Sequence, residues 1–124
     1  MTEQEIQEIY NRLLALTKAQ AIKWEKIGES EYSVNFSRSS VTVGKDYEYY
    51  PLVVAMKIYN RDGLLVACAA SSDDLLVEDG VEGFKLDPSE LFNLAQSGVY
   101  KYSETSKNIL DELKELDASL KKTA

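Results

Sequence analysis

Two carboxylate-bearing stretches are where this sequence could do chemistry. In the first, Asp46 and Glu48 alternate with Tyr47, Tyr49 and Tyr50, and paired carboxylates at a suitable separation carry acid/base work in glycosidases. Spacing along the chain does not set that separation. The same stretch reads as an interaction surface, because tyrosine combines a large contact area with a polar tip and is enriched at interface hot spots. The competing reading folds one or two of these tyrosines under as core. In the second stretch, Asp73, Asp74, Glu78 and Asp79 surround Leu75, Leu76 and Val77. A calcium loop needs oxygen ligands at alternating positions and a glycine at its turn. Apolar residues stand where those ligands belong, so a solvated loop is the better reading and no metal is expected. Tyr47, Glu48, Tyr49, Tyr50, Asp73, Asp74, Glu78 and Asp79 are thus interaction candidates, and no catalytic residue is assigned.

What is missing narrows the chemistry further. The chain has no histidine, which removes Ser-His-Asp and Cys-His catalysis and most catalytic zinc sites. It has no GxGxxG, GxxxxGK[ST] or CxxC pattern, so no cofactor is expected and the reading leans away from an enzyme. The one cysteine, Cys68, lies in an apolar run with nothing basic beside it. It reads as a small buried hydrophobe in a reducing compartment.

Composition sets the remaining bounds. A chain of 124 residues fits one domain, residues 1–124, able to fold without disulfides or metals. Hydrophobic residues at 44% and charged residues at 28% are ordinary globular values. The net charge of −7 repels phosphate backbones, so no nucleic acid is expected; it favours solubility and also suits a basic partner. The acidic start, Met1-Thr2-Glu3-Gln4-Glu5, lacks the features of a secretory signal, and no apolar run approaches the ~20 residues a spanning helix needs. A cytoplasmic protein without a membrane contact is expected.

The elements that must position any surface are well marked. Ile6, Ile9, Tyr10, Leu13 and Leu14 recur at helical spacing behind a capping box at residues 2–5, which predicts a helix from about Glu3 to about Lys18. Alternating patterns then predict about five strands, near 20–26, 31–36, 40–45, 52–59 and 64–70. Asn60-Arg61-Asp62-Gly63 between two apolar runs signals a hairpin, with positive φ tolerated at Asn60 and Gly63 and Asp62 able to bond the neighbouring backbone. Both faces of that hairpin are apolar, so it belongs at the centre of the sheet or under cover on both sides. Trp24 reads as core, its indole N–H reaching a backbone carbonyl.

Residues 71–83 read as a linker. A last helix starts at Asp87-Pro88-Ser89-Glu90, with Asp87 as N-cap, and keeps its register from Leu91 past Leu113. One long helix is favoured over two broken near Ser97-Gly98 or Ser103. Gly98 suggests a close helix crossing or a bend. The fold class is therefore α+β: a single antiparallel sheet with an N-terminal helix and a long C-terminal helix packed on one face.

The segments Ile22-Lys23-Trp24-Glu25, Glu31-Tyr32-Ser33-Val34, Ile58-Tyr59-Asn60-Arg61-Asp62-Gly63, Leu91-Phe92-Asn93-Leu94-Ala95 and Ile109-Leu110-Asp111-Glu112-Leu113 give an order that resembles small uncharacterised bacterial α+β proteins, often from mobile or accessory gene regions. That resemblance implies a bacterial cytoplasmic origin and brings no catalytic residue. In size and acidity the chain is also similar to immunity and antitoxin-like proteins. Three functions follow as expectations: a non-enzymatic interaction or accessory module, binding a protein or forming a homodimer; a small-molecule binder or unorthodox enzyme with a pocket between sheet and helices; and an immunity-like inhibitor of a basic toxin.

Overall fold

The computed structural model describes residues 1–46, 53–72 and 78–123. The first helix, α1 (Glu3–Lys18), starts at the expected box: Glu5 N donates to Thr2 Oγ1 at 3.1 Å and Thr2 N donates to Glu5 Oε1 at 2.8 Å. Two of the backbone donors that a helix start leaves orphaned are thereby satisfied. Ile6, Tyr10 and Leu13 bury one stripe, while Glu8 and Arg12 pair at 3.0 Å on the solvent side. The helix stops where Gln20 turns to φ 58, with Gln20 N donating to Thr17 O and Ala21 N to Leu16 O. These two bonds are those of a Schellman cap.

Six strands follow in sheet order: β1 (Glu25–Gly28), β2 (Glu31–Phe36), β3 (Ser39–Asp46), β4 (Val53–Tyr59), β5 (Leu65–Ala70) and β6 (Glu82–Lys85). The first five form an antiparallel meander, with registers such as Val34↔Val41 and Val41↔Ile58. The last differs from expectation. β6 lies parallel to β5, pairing Ala69↔Phe84, and it begins inside the stretch, 71–83, that sequence alone marks as linker. Its four residues, Glu-Gly-Phe-Lys, hold a single large apolar side chain, so alternation cannot register there. A parallel neighbour needs a crossover rather than a tight turn, and the chain between Ala70 and Glu82 supplies it.

The β4–β5 turn has the expected strands but different chemistry. Asn60 Oδ1, not Asp62, holds the backbone, accepting from Asp62 N at 2.9 Å and Leu64 N at 3.0 Å, and only Gly63 takes positive φ, +79. Trp24 is core, yet its indole donates to Thr17 Oγ1 at 3.0 Å rather than to a carbonyl. The Thr17 hydroxyl in turn donates to Leu13 O. This tie fixes the end of α1 to the entrance of β1.

The C-terminal helical stretch is bent. Its first part, α2 (Ser89–Tyr100), lies with α1 on one face of the sheet and buries Leu91, Phe92 and Ala95 against Tyr32, Val43 and Met56. Phe92 and Tyr32 meet ring to ring at 5.6 Å and 56°, a tilted geometry that aromatic quadrupoles favour. Pro88 rather than Asp87 occupies the N-cap, and Asp87 Oδ1 instead accepts from Ser89 N at 3.0 Å. On the opposite face of the sheet, Val53, Ala55, Cys68 and Ala70 form a second buried cluster with Val81 against it. The β4–β5 hairpin is thus covered on both faces, and Cys68 is buried as expected.

Candidate functional site: a helix without an intramolecular partner

After Tyr100 the chain leaves the sheet. Lys101 takes φ 52, ψ 49, the left-handed conformation that ends many helices, and its N–H still donates to Ser97 O at 2.9 Å. A new helix, α3 (Tyr102–Thr123), begins at once, with Thr105 N donating to Lys101 O. The break therefore falls between the two places that sequence singles out, Ser97-Gly98 and Ser103. Gly98 is neither a crossing nor the bend itself: a side chain there would meet open space.

The junction is tied down by a tyrosine cluster. The Lys26 ammonium on β1 donates to the Tyr100 hydroxyl at 2.8 Å, and the Tyr100 and Tyr102 rings stack at 5.6 Å with only 1° between their planes. The hydrogen bond from Lys26 holds the Tyr100 hydroxyl below the usual tyrosine range, and the same contact raises Lys26. Beneath them, burial pushes the Tyr32 hydroxyl up. That hydroxyl has no hydrogen bond of good geometry, although Gln96 and Tyr100 both act on its titration. A fully buried orphan hydroxyl costs about 1–3 kcal/mol, which the ring packing on Phe92 must offset.

Every described residue of α3 is exposed. Its large apolar side chains nevertheless follow one line: Tyr102, Ile109, Leu113, Leu116 and Leu120, with Ser106 in the same row and Leu110 beside it. The row advances by four, three, four, three and four residues, the spacing of a helix that buries one seam against another helix. Exposure of these six apolar side chains runs from 51% to 69%. A soluble protein rarely leaves so continuous an apolar strip open. A shallow open groove runs beside it, lined by Tyr102, Ser106, Lys107, Leu110 and Lys114. A second shallow concavity follows the polar side of α1 at Gln4, Gln7, Glu8, Asn11 and Arg12. Both lie on outer helix faces, and neither opens between the sheet and the helices, where a small-molecule pocket is expected from sequence.

The interaction candidates read from sequence fare differently. Tyr47, Glu48, Tyr49, Tyr50, Asp73 and Asp74 lie outside the described residues. Glu78 and Asp79 are exposed in the turn that leads to β6, where Val81 N donates to Glu78 O at 3.1 Å and Gly80 takes φ +89. The α3 strip lies outside those candidates, because by register alone its leucines continue the buried stripe of α2. The signal is in the sequence: the apolar row of α3 advances by alternating threes and fours from Tyr102 to Leu120.

Among the described residues, no helix is long and apolar enough to cross a membrane, and no three His, Cys, Asp or Glu side chains are grouped to hold a metal ion. Comparison with known protein families, curated proteins and solved structures gives no match. The chemistry the arrangement presents is that of an exposed apolar helix face. It offers a long apolar seam, with Glu112 and Asp117 on its flanks, held on a folded body by Lys101 and the tyrosine cluster.

Proposed function

We propose that this chain is a non-enzymatic protein-interaction module whose contact element is α3. The observation that carries the reading is the heptad-spaced apolar row from Tyr102 to Leu120, exposed along its whole length. An isolated helix of 22 residues gains little from propensity alone, and helices in proteins draw most of their stability from burying an apolar face. The seam therefore calls for a partner, and helix-in-groove or helix-on-helix docking is the mode that uses such anchors. The edges of the sheet are poorer candidates. β1 and β6 are four residues each and carry charged side chains, which blunts strand addition.

The test is recovery of a partner from an extract of the native host with the whole chain as bait. A stoichiometric partner, a second copy or another protein, is expected with the natural sequence and not with Leu113→Asp/Leu116→Asp. A bait that recovers nothing and is itself monomeric refutes the reading.

A further inference from the structure

Resting on that reading, we infer that the occupant of the α3 seam is a second copy of this chain, paired antiparallel as a two-helix coiled coil. The spacing supports a coiled coil in particular. Steps alternating between three and four residues average 3.5, the repeat that keeps one seam facing a partner helix through a left-handed supercoil.

The seam is complementary to itself when reversed. With the two-fold axis at Asp111, Tyr102 lies opposite the partner's Leu120, Ser106 opposite the partner's Leu116, and Ile109 opposite the partner's Leu113, each contact occurring twice. Every layer then contains at least one large apolar side chain, and Asp111 points away from the seam. Leu110 meets its own copy near the axis and widens the apolar strip on one flank. Lys107 comes beside the partner's Asp117, again twice.

Charge selects this direction. Parallel pairing would set Glu112 against the partner's Asp117 on both sides, since residues five apart across a parallel seam are neighbours. Antiparallel pairing leaves one like contact, Glu112 with its copy, and gains the two Lys107–Asp117 contacts. The bodies also matter. Helix α3 holds five acids and four lysines, so nearly all of the net charge of −7 lies on the remainder of the chain. Parallel pairing would bring two acidic bodies to the same end. Antiparallel pairing separates them by the helix length, about 33 Å at 1.5 Å per residue, several times the ~8 Å over which salt screens charge.

The area suffices. Six side chains of roughly 180 Å², each exposed by half or more, offer about 600 Å² per copy, so a symmetric pair buries about 1,200 Å², the lower bound for a specific interface.

Sedimentation and cysteine cross-linking test the inference on the full chain. The natural sequence should sediment as a dimer at micromolar concentration. Leu113→Asp/Leu116→Asp should be monomeric with urea unfolding of the sheet body unchanged, because none of the described α3 residues is buried against that body. Cys68 is buried, so an added cysteine reports its own position. Leu110→Cys should give a cross-linked dimer and Leu120→Cys should not; the opposite result overturns the antiparallel arrangement. A monomeric natural chain overturns self-pairing. If that monomer still captures a different protein through α3, the interaction reading survives and only the second copy is lost. If it captures nothing, both fall.

Discussion

Helices α1 and α3 are written in the same apolar code and meet opposite fates. Ile6, Tyr10 and Leu13 are spaced by four and three residues, as are Ile109, Leu113 and Leu116. The first three are at most 7% exposed and the second three at least 51%. Periodicity states that a helix has an apolar face; it does not say whose surface will cover it. For α1 the cover is supplied within the chain: Ile6, Tyr10 and Leu13 share one core cluster with Leu91, Phe92 and Ala95 of α2 and with Trp24, which the Thr17 hydroxyl holds by its indole. For α3 the left-handed residue Lys101 turns the helix off the sheet, and its apolar row stays exposed among the described residues.

The largest effects should come from breaking the covered side of this comparison. Phe92→Ala removes a ring that is 2% exposed and packs on Tyr32, and should cost about 3–5 kcal/mol in urea denaturation. Ile6→Ala, which removes a buried α1 anchor, should cost about 2–5 kcal/mol. Leu113→Ala, the matching truncation on α3, should change the unfolding of dilute monomer by no more than about 0.5 kcal/mol. If Leu113→Ala were as damaging as Ile6→Ala at low concentration, α3 would be packed within the chain and the contrast would be void.

Smaller effects should arise at the helix ends that set the two fates. Thr2→Ala removes the hydroxyl that accepts from Glu5 N and should cost about 1 kcal/mol. Bonding to Thr2, its backbone N–H first, holds the Glu5 carboxyl below its ordinary value. A carboxylate lowered by folding contributes stability above its unfolded value and loses it as pH falls through the lowered one. The stability advantage of the natural chain over Glu5→Gln should therefore be present at neutral pH and vanish in acid, read from urea midpoints across pH. At the other junction, Lys101→Gly removes a Cβ from a left-handed position. It should keep the bend and gain up to about 1 kcal/mol. A loss there would mean that the lysine side chain, rather than the backbone, holds the junction.

The same comparison explains what was legible in the sequence. Whereas β1 runs over Glu25–Gly28 and the alternation of Ile22 and Trp24 that suggests a strand near 20–26 lies before it, helix α1, its cap, strands β2 to β5 and the double-faced β4–β5 hairpin all announce themselves through local period and turn chemistry. Strand β6 did not, because four residues with one aromatic carry no alternation and its parallel pairing with β5 is made across a crossover. The bend at Lys101 was hidden for a different reason. A single left-handed lysine has no composition signature, whereas Gly98, which does, drew attention three residues too early. Exposure of the α3 row is a tertiary fact: Leu91 and Leu116 look alike in sequence, and only the position of the sheet separates a buried leucine from an exposed one.

The smallest expected effect tests how firmly the junction is held. The chain has eight tyrosines, and the fold spreads the titration of three of them. Tyr100 is lowered by the hydrogen bond from Lys26, while burial raises Tyr10 and Tyr32. Tyrosinate absorbance should therefore show Tyr100 ionising ahead of the ordinary tyrosine range near 10, with Tyr10 and Tyr32 last. The sign of the linkage follows. A tyrosine lowered by folding contributes stability above its unfolded value and loses it as pH falls through the lowered one; the raised Lys26 loses its contribution as pH rises through its own folded value. Between those limits the ammonium faces a tyrosinate, so the tie between β1 and the end of α2 should strengthen on mild alkalinisation. Lys26→Met should return the earliest tyrosine to the ordinary range and leave α1 and the core untouched. An unchanged titration curve would show that Lys26 does not hold Tyr100, and α3 would then be anchored by the Lys101 backbone and the Tyr100–Tyr102 stack alone.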